Sequence, residues 1–573
     1  MGDGLIPWRA FQPEGSPEEL VFDERSLYDA VRQVAERHPE LPAYDFLGTT
    51  STYRSFLADI DRTAAAFASL GIGAGDVMTI CLPNCPQALF AFYALNKVGA
   101  VASMIHPLSV SEEIRTFLDI SKSTSLLTLD AFWPRVAPAL EGSTVRTALH
   151  CRIQEHMPPL LRTVFVIAKG RKIKPVPRAD GVRSWDELMK PSRPDVEAYK
   201  RDVRGLAVIL YSGGTTGTPK GIMLSDWNFN ALTQALNWQL PGGVAPGDKV
   251  LAILPLFHGF GLGVTANLFL TKGGCCLLVP KFSADEVVKV LLKKAPQIIA
   301  GVPTLFEALS VHPKIGKVDF SPLKGCFGGG DKVPETVKRR FDDVLAAGGG
   351  TVELVEGYGL TETVTACTLL PAGQYRKDSI GVPLPGIRAK VVEPDTTEAL
   401  PVGEEGELCI TGPTNMLGYM GRPDETAQAI RRHDDGRDWV HTGDLCSMDA
   451  DGFIFFKMRL KRMVKVSGIA VYPPQVEETL RQHDLVRDVC VVGVPDPYKM
   501  TVVRAYVVPA DPQRSDDDAA AAIRDWAADK LNRWSLPRDI VFRDELPLTR
   551  VGKVAYAELE KEAADEAEPA AAG

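Results

Sequence analysis

The segment Tyr211-Ser-Gly-Gly-Thr-Thr-Gly-Thr-Pro-Lys-Gly221 holds the densest set of anion-binding groups in the chain. Gly213, Gly214 and Gly217 let the backbone approach a ligand closely and turn its amide N–H groups inward. Ser212, Thr215, Thr216 and Thr218 add hydroxyl donors, and Lys220 adds a cation. The segment contains no acid, so its chemistry suits a polyphosphate. It is not the usual nucleotide P-loop, in which Gly-Lys is followed by Ser or Thr at the start of a helix. Here Pro219 precedes Lys220 and Gly221 follows it. The bland alternative is a flexible Gly/Thr surface loop. Its position directly after the apolar run 206–210 argues against that.

Such a loop needs a scaffold, and the first 300 residues supply a rhythm of strands and helices. Residues 26–38 and 56–70 carry helical apolar stripes, the second closed by Gly71. The run 77–82 reads as a buried strand, 86–97 as a helix and 100–105 as the next strand. Strand-like runs return at 206–211, 250–254, 298–302 and 352–355. This β-α-β order predicts a largely parallel sheet covered by helices. After Gly381 the pieces become shorter, as at 388–392 and 406–410. From about Lys461 a unit of roughly 100 residues shows its own order: helix 474–483, strands 489–494 and 502–508, helix 519–531. The expected fold class is α/β, with a large N-terminal domain of α/β layers and a small β-rich subdomain, plus a smaller α+β C-terminal domain. The expected limits are 1–458, a hinge at 459–461, 462–557, and a frayed acidic tail over 558–573.

Composition excludes several classes. The 573 residues carry 64 Lys and Arg against 73 Asp and Glu, a formal net charge of −9, which argues against a nucleic-acid binder. No charge-free apolar stretch of about 18 residues occurs, so no transmembrane helix is expected, and no signal peptide is visible. The 10 cysteines are scattered without metal-site spacing and read as buried reduced thiols of a cytoplasmic protein. Residues 170–181, GRKIKPVPRADG, read as an exposed basic loop of solvated charge.

Further motifs follow in order: Pro255-Leu-Phe-His-Gly-Phe260, Gly328-Gly-Gly330, Glu356-Gly-Tyr-Gly-Leu-Thr-Glu362 and Trp439-Val-His-Thr-Gly-Asp444. Arg459-Leu-Lys461, Lys465-Val-Ser-Gly468 and Thr549-Arg-Val-Gly-Lys553 complete the set. With the 211–221 loop they resemble the adenylate-forming (AMP-binding) superfamily, which includes acyl-CoA synthetases, luciferases and peptide-synthetase adenylation domains. The resemblance runs over about residues 26 to 556 and is strongest to bacterial long-chain fatty-acid CoA ligases.

That resemblance implies a reaction with a clear physical rationale. A carboxylate resists a thiol because its charge repels nucleophiles and oxide is a poor leaving group. Attack of the carboxylate on the α-phosphate of ATP turns that oxide into AMP, with pyrophosphate departing. The protein must then neutralise phosphate charge and align an in-line displacement.

The resemblance assigns roles residue by residue. The 211–221 loop would hold the pyrophosphate-side phosphates, Tyr358 would stack on adenine beside Gly359, and Thr361 would contact the α-phosphate. Glu362 would bind Mg²⁺. Asp444 and Arg459 would partner the ribose hydroxyls, and Gly328, Gly329 and Gly330 would let backbone pass close to substrate and adenine. Lys553 would steady carboxylate and phosphate during adenylation, and Lys461 stands at the hinge. The Lys465-to-Gly468 loop would serve thioester formation with coenzyme A after the C-terminal domain swings. Taken singly, Glu362 reads as a capping acid, Asp444 reads equally as a turn residue, and Lys553 reads as a surface charge; the ordered set overturns those readings. His258 matches a family histidine near the substrate carboxylate but reads equally as a core residue. The tract 257–270 reads as an acyl channel or as ordinary core.

Two positions depart from the family pattern. Met458 stands where many members carry Asp, and Met500-Thr501 where Gly-Glu is common. The expected activity is ATP- and Mg²⁺-dependent conversion of a medium- or long-chain fatty acid to its CoA thioester. Aryl, bile-acid and branched carboxylates stay open. So do transfer to a carrier protein, a silent nucleotide-binding scaffold, and a peripheral contact with the inner membrane face to collect fatty acid.

Overall fold

The computed structural model describes residues 6–20, 24–212, 219–466, 469–496, 500–548 and 554–567. The β-α-β rhythm closes into a sheet whose parallel part runs Leu206–Ser212, Val101–Met104, Val77–Cys81, Ser125–Leu129, Thr147–Cys151 and Val182–Ser184. Lys220–Ser225 and Gly418–Tyr419 extend one edge in antiparallel pairing. Val77–Cys81 is buried at every position, as a strand covered on both faces must be. The helix Pro86–Val98 is likewise buried throughout. Proline in its first turn and Gly99 at φ +84° as its left-handed cap bound it.

A second, larger sheet has a parallel half and an antiparallel half. Pro42–Phe46, Cys275–Leu278, Lys249–Ala252, Ile298–Gly301, Gly325–Gly328 and Leu354–Gly359 form the parallel half. Ala366–Leu369, Ser379–Pro383, Ile454–Arg459, Asp438–Met448, Glu405–Thr411 and Arg388–Val392 continue it with antiparallel pairing. One apolar core joins the two sheets through Ile80, Phe229, Leu232, Val250 and Leu278.

The strand expected over 352–355 is found at Leu354–Gly359, so it runs on through Gly357 and Tyr358. Its first residues pair with Gly325–Gly328, and its last three pair with Ala366–Leu369. Glycine makes that second pairing possible: a Cβ on Gly359 would sit 1.5 Å from the Thr365 carbonyl oxygen. The tract 257–270 forms a π-helix at Phe260–Asn267, a conformation concentrated at functional sites.

Residues beyond Arg462 form a smaller α+β unit. Val486–Asp496, Met500–Pro509 and Asp539–Phe542 make its sheet, with helices Pro473–Leu480 and Asp517–Ala528 against it. The helix predicted over 519–531 starts earlier because Asp516 accepts from Ala519 N and caps it. The frayed tail expected over 558–573 is corrected for 558–567, which belong to a helix, Tyr556–Ala567. Leu559 and Ala563, one turn apart, are fully buried against the core that includes Val492 and Tyr506, and that contact overrides the acidic composition. All 10 cysteines are free and buried, as expected of reduced thiols. Among the described residues no helix is long and apolar enough to cross a membrane.

Candidate active site

The donor-rich loop is a strand-to-strand connection. Leu206–Ser212 and Lys220–Ser225 pair antiparallel with Ser212 opposite Lys220, so a hairpin rather than a helix N-terminus presents the loop. This agrees with the departure from the P-loop pattern. Gly213, Gly214, Thr215, Thr216, Gly217 and Thr218 lie outside the described residues. Lys220 Nζ sits 2.6 Å from Glu425 Oε2 and 4.4 Å from the centre of the Tyr419 ring. Hydrogen bonds from Lys220 and Arg422 hold the Glu425 carboxyl below its usual range. The Tyr419 hydroxyl donates to Glu362 Oε1 at 2.9 Å, so one ring links the cation to the expected metal ligand.

Tyr358, Asp444 and Arg459 form a second group. Asp444 is fully buried on Asp438–Met448 and pairs in register with Arg459. The Tyr358 hydroxyl donates to Asp444 Oδ2, and Arg459 Nε lies 2.9 Å from Oδ1. Arg459 also donates to the Thr442 carbonyl at 3.2 Å. Burial pushes the Asp444 carboxyl up to about 6, against the opposing pull of Arg459 and the Tyr358 hydroxyl. Burial also raises the Tyr358 hydroxyl well above its ordinary value.

These groups meet at one cavity of about 1110 Å³. Ser212, Lys220, Tyr358, Thr361, Glu362 and Arg459 line it, as do Gly328, Gly329, Gly330 and Gly359. Asp444 stands directly behind Tyr358 and Arg459. Ligand cavities commonly measure ~300–1,000 Å³, so this one has room for a nucleotide and an extended second substrate. An apolar wall including Leu236, Leu240, Phe260, Val264 and Phe269 forms part of the lining, which makes the 257–270 tract a lining element as well as core. His258 is exposed and lines the same cavity, its Nδ1 accepting from Phe260 N at 3.2 Å. The core-histidine alternative therefore falls.

The residues present fit ATP and Mg²⁺. Asp444 Oδ1 is buried and ion-paired with Arg459 at 2.9 Å without an aligned hydrogen bond, so it keeps acceptor capacity of the kind a ribose hydroxyl takes up. Glu362 supplies the hard carboxylate oxygen that Mg²⁺ prefers. A Cβ on Gly329 would sit 2.9 Å from the Gly357 carbonyl oxygen, so only glycine keeps that wall flat.

The C-terminal unit reaches the cavity through Val554 and Tyr556. Lys553 and Gly468 lie outside the described residues. The Lys461 backbone belongs to the 3₁₀ turn Leu460–Arg462, and Lys465 lies on Val464–Val466, which pairs with Ile469–Val471. Met458 is buried and registers with Leu445. Sequence reasoning missed Tyr419 and Glu425, which position the cation and the carboxylate. No local motif marks them; only the short pairing of Gly418–Tyr419 with Lys220–Ser225 brings them in. It also missed the buried cluster of Cys409, His433 and His441. There the two histidine Nε2 atoms lie 3.0 Å apart, and His441 Nδ1 lies 2.7 Å from Glu407 Oε2.

The chain is similar to known proteins over nearly its whole length. The AMP-binding enzyme family model matches residues 31–420, and the AMP-binding enzyme C-terminal domain model matches residues 475–553. A long-chain-fatty-acid–CoA ligase of Bacillus subtilis (strain 168) is 32% identical over 553 residues, covering 96% of each chain. A feruloyl-CoA synthase of Amycolatopsis sp. is 31% identical over 529 residues, covering 92% of this chain and 97% of its own. The crystal structure of ATP-bound MatB from Rhodopseudomonas palustris superposes with a TM-score of 0.77 at 25% identity, covering 94% of this chain and 98% of its own. A cavity with cation, carboxylates and buried acceptor, within family matches spanning both parts of the chain, leads to one assignment: this chain belongs to the AMP-binding enzyme family and is an AMP-forming acyl-CoA synthetase.

Proposed function

We propose that the acid activated is a medium- or long-chain fatty acid, with coenzyme A as the thiol and Mg²⁺ on Glu362. The observation that carries this reading is the cavity itself. Phosphate-type groups, Ser212, Lys220 and Glu362, and a long apolar wall, Leu236 to Phe269, belong to one continuous space. The similarity to a long-chain-fatty-acid–CoA ligase supports it.

In the first half-reaction a carboxylate oxygen attacks the α-phosphorus, and the bond to pyrophosphate breaks. Lys220 and the loop beside it bind the departing phosphates, Thr361 the α-phosphate, and the Tyr358 ring packs on the base. Mg²⁺ would neutralise phosphate charge. His258 orients the acid carboxylate at the mouth of the apolar wall. In the second half-reaction the thiol sulfur attacks the acyl carbonyl and AMP leaves. Residues 459–461 act as the hinge between the two steps, with Lys553 serving the first and the 465–468 segment the second. The positions of Val554 and Tyr556 on the cavity wall support this division, because they bring the chain next to Lys553 to the site.

An aryl acid is the second reading, favoured by Phe257, Phe260 and Phe327 on the same wall and by the feruloyl-CoA synthase relative. Acid-dependent AMP release across saturated, aryl and branched carboxylates tests both. Highest kcat/KM on chains of medium or long length supports the proposal; highest kcat/KM on an aryl acid replaces it. Offering coenzyme A and a phosphopantetheinyl carrier protein in parallel identifies the acceptor.

A further inference from the structure

The helix Pro159–Ala168 contradicts the rule that a solvent-facing helix is polar. None of its residues is buried, and nine of the ten are exposed, although its sequence is PLLRTVFVIA. Leu160 is 80% exposed, Val164 53% and Ile167 58%. These three positions fall on one side of the helix, one turn apart. Only Phe165 turns partly back, against the main core. A contiguous apolar ridge of this kind on a soluble surface marks an interaction site.

The segment that follows gives the ridge its partner. Residues 159–179 contain six basic side chains, Arg162, Lys169, Arg171, Lys172, Lys174 and Arg178, and no acid. Among the described residues none of the six forms a salt bridge, and of the six only Arg162 lies near enough to a carboxyl, that of Asp186, to help lower it. The turn Gly170–Lys172 folds directly onto the end of the helix, with the Gly170 Cβ direction 3.6 Å from Val166. The composition of 170–181 predicts solvated charge; the structure sets that charge as a collar beside exposed aliphatics.

We propose that Pro159–Ala168 and the basic segment after it dock this protein on an anionic lipid bilayer. An apolar ridge with a cationic rim matches the acyl–headgroup boundary, where the ridge enters the acyl region and the cations meet lipid phosphates. Ten residues are too few to span a bilayer, so the contact is peripheral. A chain of net charge −9 is repelled by an anionic surface, and this basic segment sets which face approaches. A second copy is the weaker occupant, because a two-fold pairing of this face would bring two uncompensated basic collars together. The proposal rests on the surface and does not require the acid to be fatty.

Vesicle flotation tests it. The full-length protein is mixed with vesicles of phosphatidylcholine alone or of equal phosphatidylcholine and phosphatidylglycerol. The expected result is flotation with the phosphatidylglycerol vesicles, reversed by high salt. The triple variants Leu160→Ser/Val164→Ser/Ile167→Ser and Lys169→Glu/Arg171→Glu/Lys172→Glu should each lose bound fraction on the order of tenfold. Unchanged ATP binding shows that the variants are folded. The proposal is overturned if the wild-type protein stays with the unbound fraction or if both variants float as it does. It is equally overturned if light scattering shows the aliphatic variant turning a dimer into a monomer with vesicle binding unchanged, which would assign the face to a second copy.

Discussion

The Tyr358 hydroxyl donates a hydrogen bond to Asp444 across 86 residues of chain, tying the residue assigned to the base to the residue assigned to the sugar. A hydrogen bond to a charged group contributes about 1.5–3 kcal/mol. Tyr358→Phe keeps the ring and removes the bond, so KM for ATP should rise roughly tenfold with kcat little changed. Tyr358→Ala removes the ring as well and should cost more. Acid-dependent pyrophosphate–ATP exchange reads both.

The Asp444 carboxyl, at about 6, titrates inside the working range. As pH rises through that value the group ionises and becomes a full acceptor, so ATP affinity should improve between pH 5 and 7. Stability moves the other way. The folded value lies above the unfolded value of about 3.9, so the neutral acid's contribution is complete below the unfolded value and is lost as pH climbs through 6. Asp444→Asn should weaken ATP binding, flatten its pH dependence, and gain in Tm relative to wild type from pH 4 to 7. A parallel Tm profile in both proteins would count against the assignment.

Lys220 is the cation assigned to phosphate, and Glu425 pairs with it at 2.6 Å. Lys220→Ala should lower pyrophosphate exchange on the order of 10²-fold, as expected when one electrostatic stabiliser is removed. Its Tm should barely move, because a partly exposed ion pair contributes about 0–1 kcal/mol. Glu425→Gln leaves the cation and should cost far less. Equal losses in the two variants would mean that the pair, not the cation, is what matters.

The two half-reactions should separate genetically. Lys553→Ala should cripple adenylation yet leave thioester formation from supplied acyl-adenylate mostly intact. Lys461→Pro, which stiffens the Leu460–Arg462 turn, should harm the thioester step more. Single-turnover assays of each step decide, and equal loss of both steps in both variants contradicts a hinge.

Val264 lies on the apolar wall at 7% exposure. Val264→Trp fills the space beside Leu236 and Leu268, so the preferred fatty acid should shorten while KM for ATP stays near wild type. An unchanged chain-length profile would remove this wall from the acyl site.

The sequence made the chemistry legible where function concentrates unusual residues in one stretch. The loop from Tyr211 to Gly221 and the Gly357-Tyr358-Gly359 run are such places, since neither composition serves an ordinary core. Strands and helices of the first half were legible because burial on both faces leaves apolar runs such as Val77–Cys81. Tyr419 and Glu425 were not, because an ordinary tyrosine and glutamate gain their roles only when the short strand Gly418–Tyr419 meets Lys220–Ser225. The last helix was misread for the opposite reason: Leu559 and Ala563 are two apolar residues in an acidic stretch, and their burial decides the outcome.

The six-residue strand Leu354–Gly359 pairs parallel on one edge and antiparallel on the other. The weld between two architectures and the ring assigned to the base thus sit on the same short strand. Cutting the polypeptide there would free a ladder edge on both the parallel and the antiparallel half, and would displace the ring assigned to the base. A substitution that disturbs this strand therefore disturbs the sheet and the candidate nucleotide cavity together.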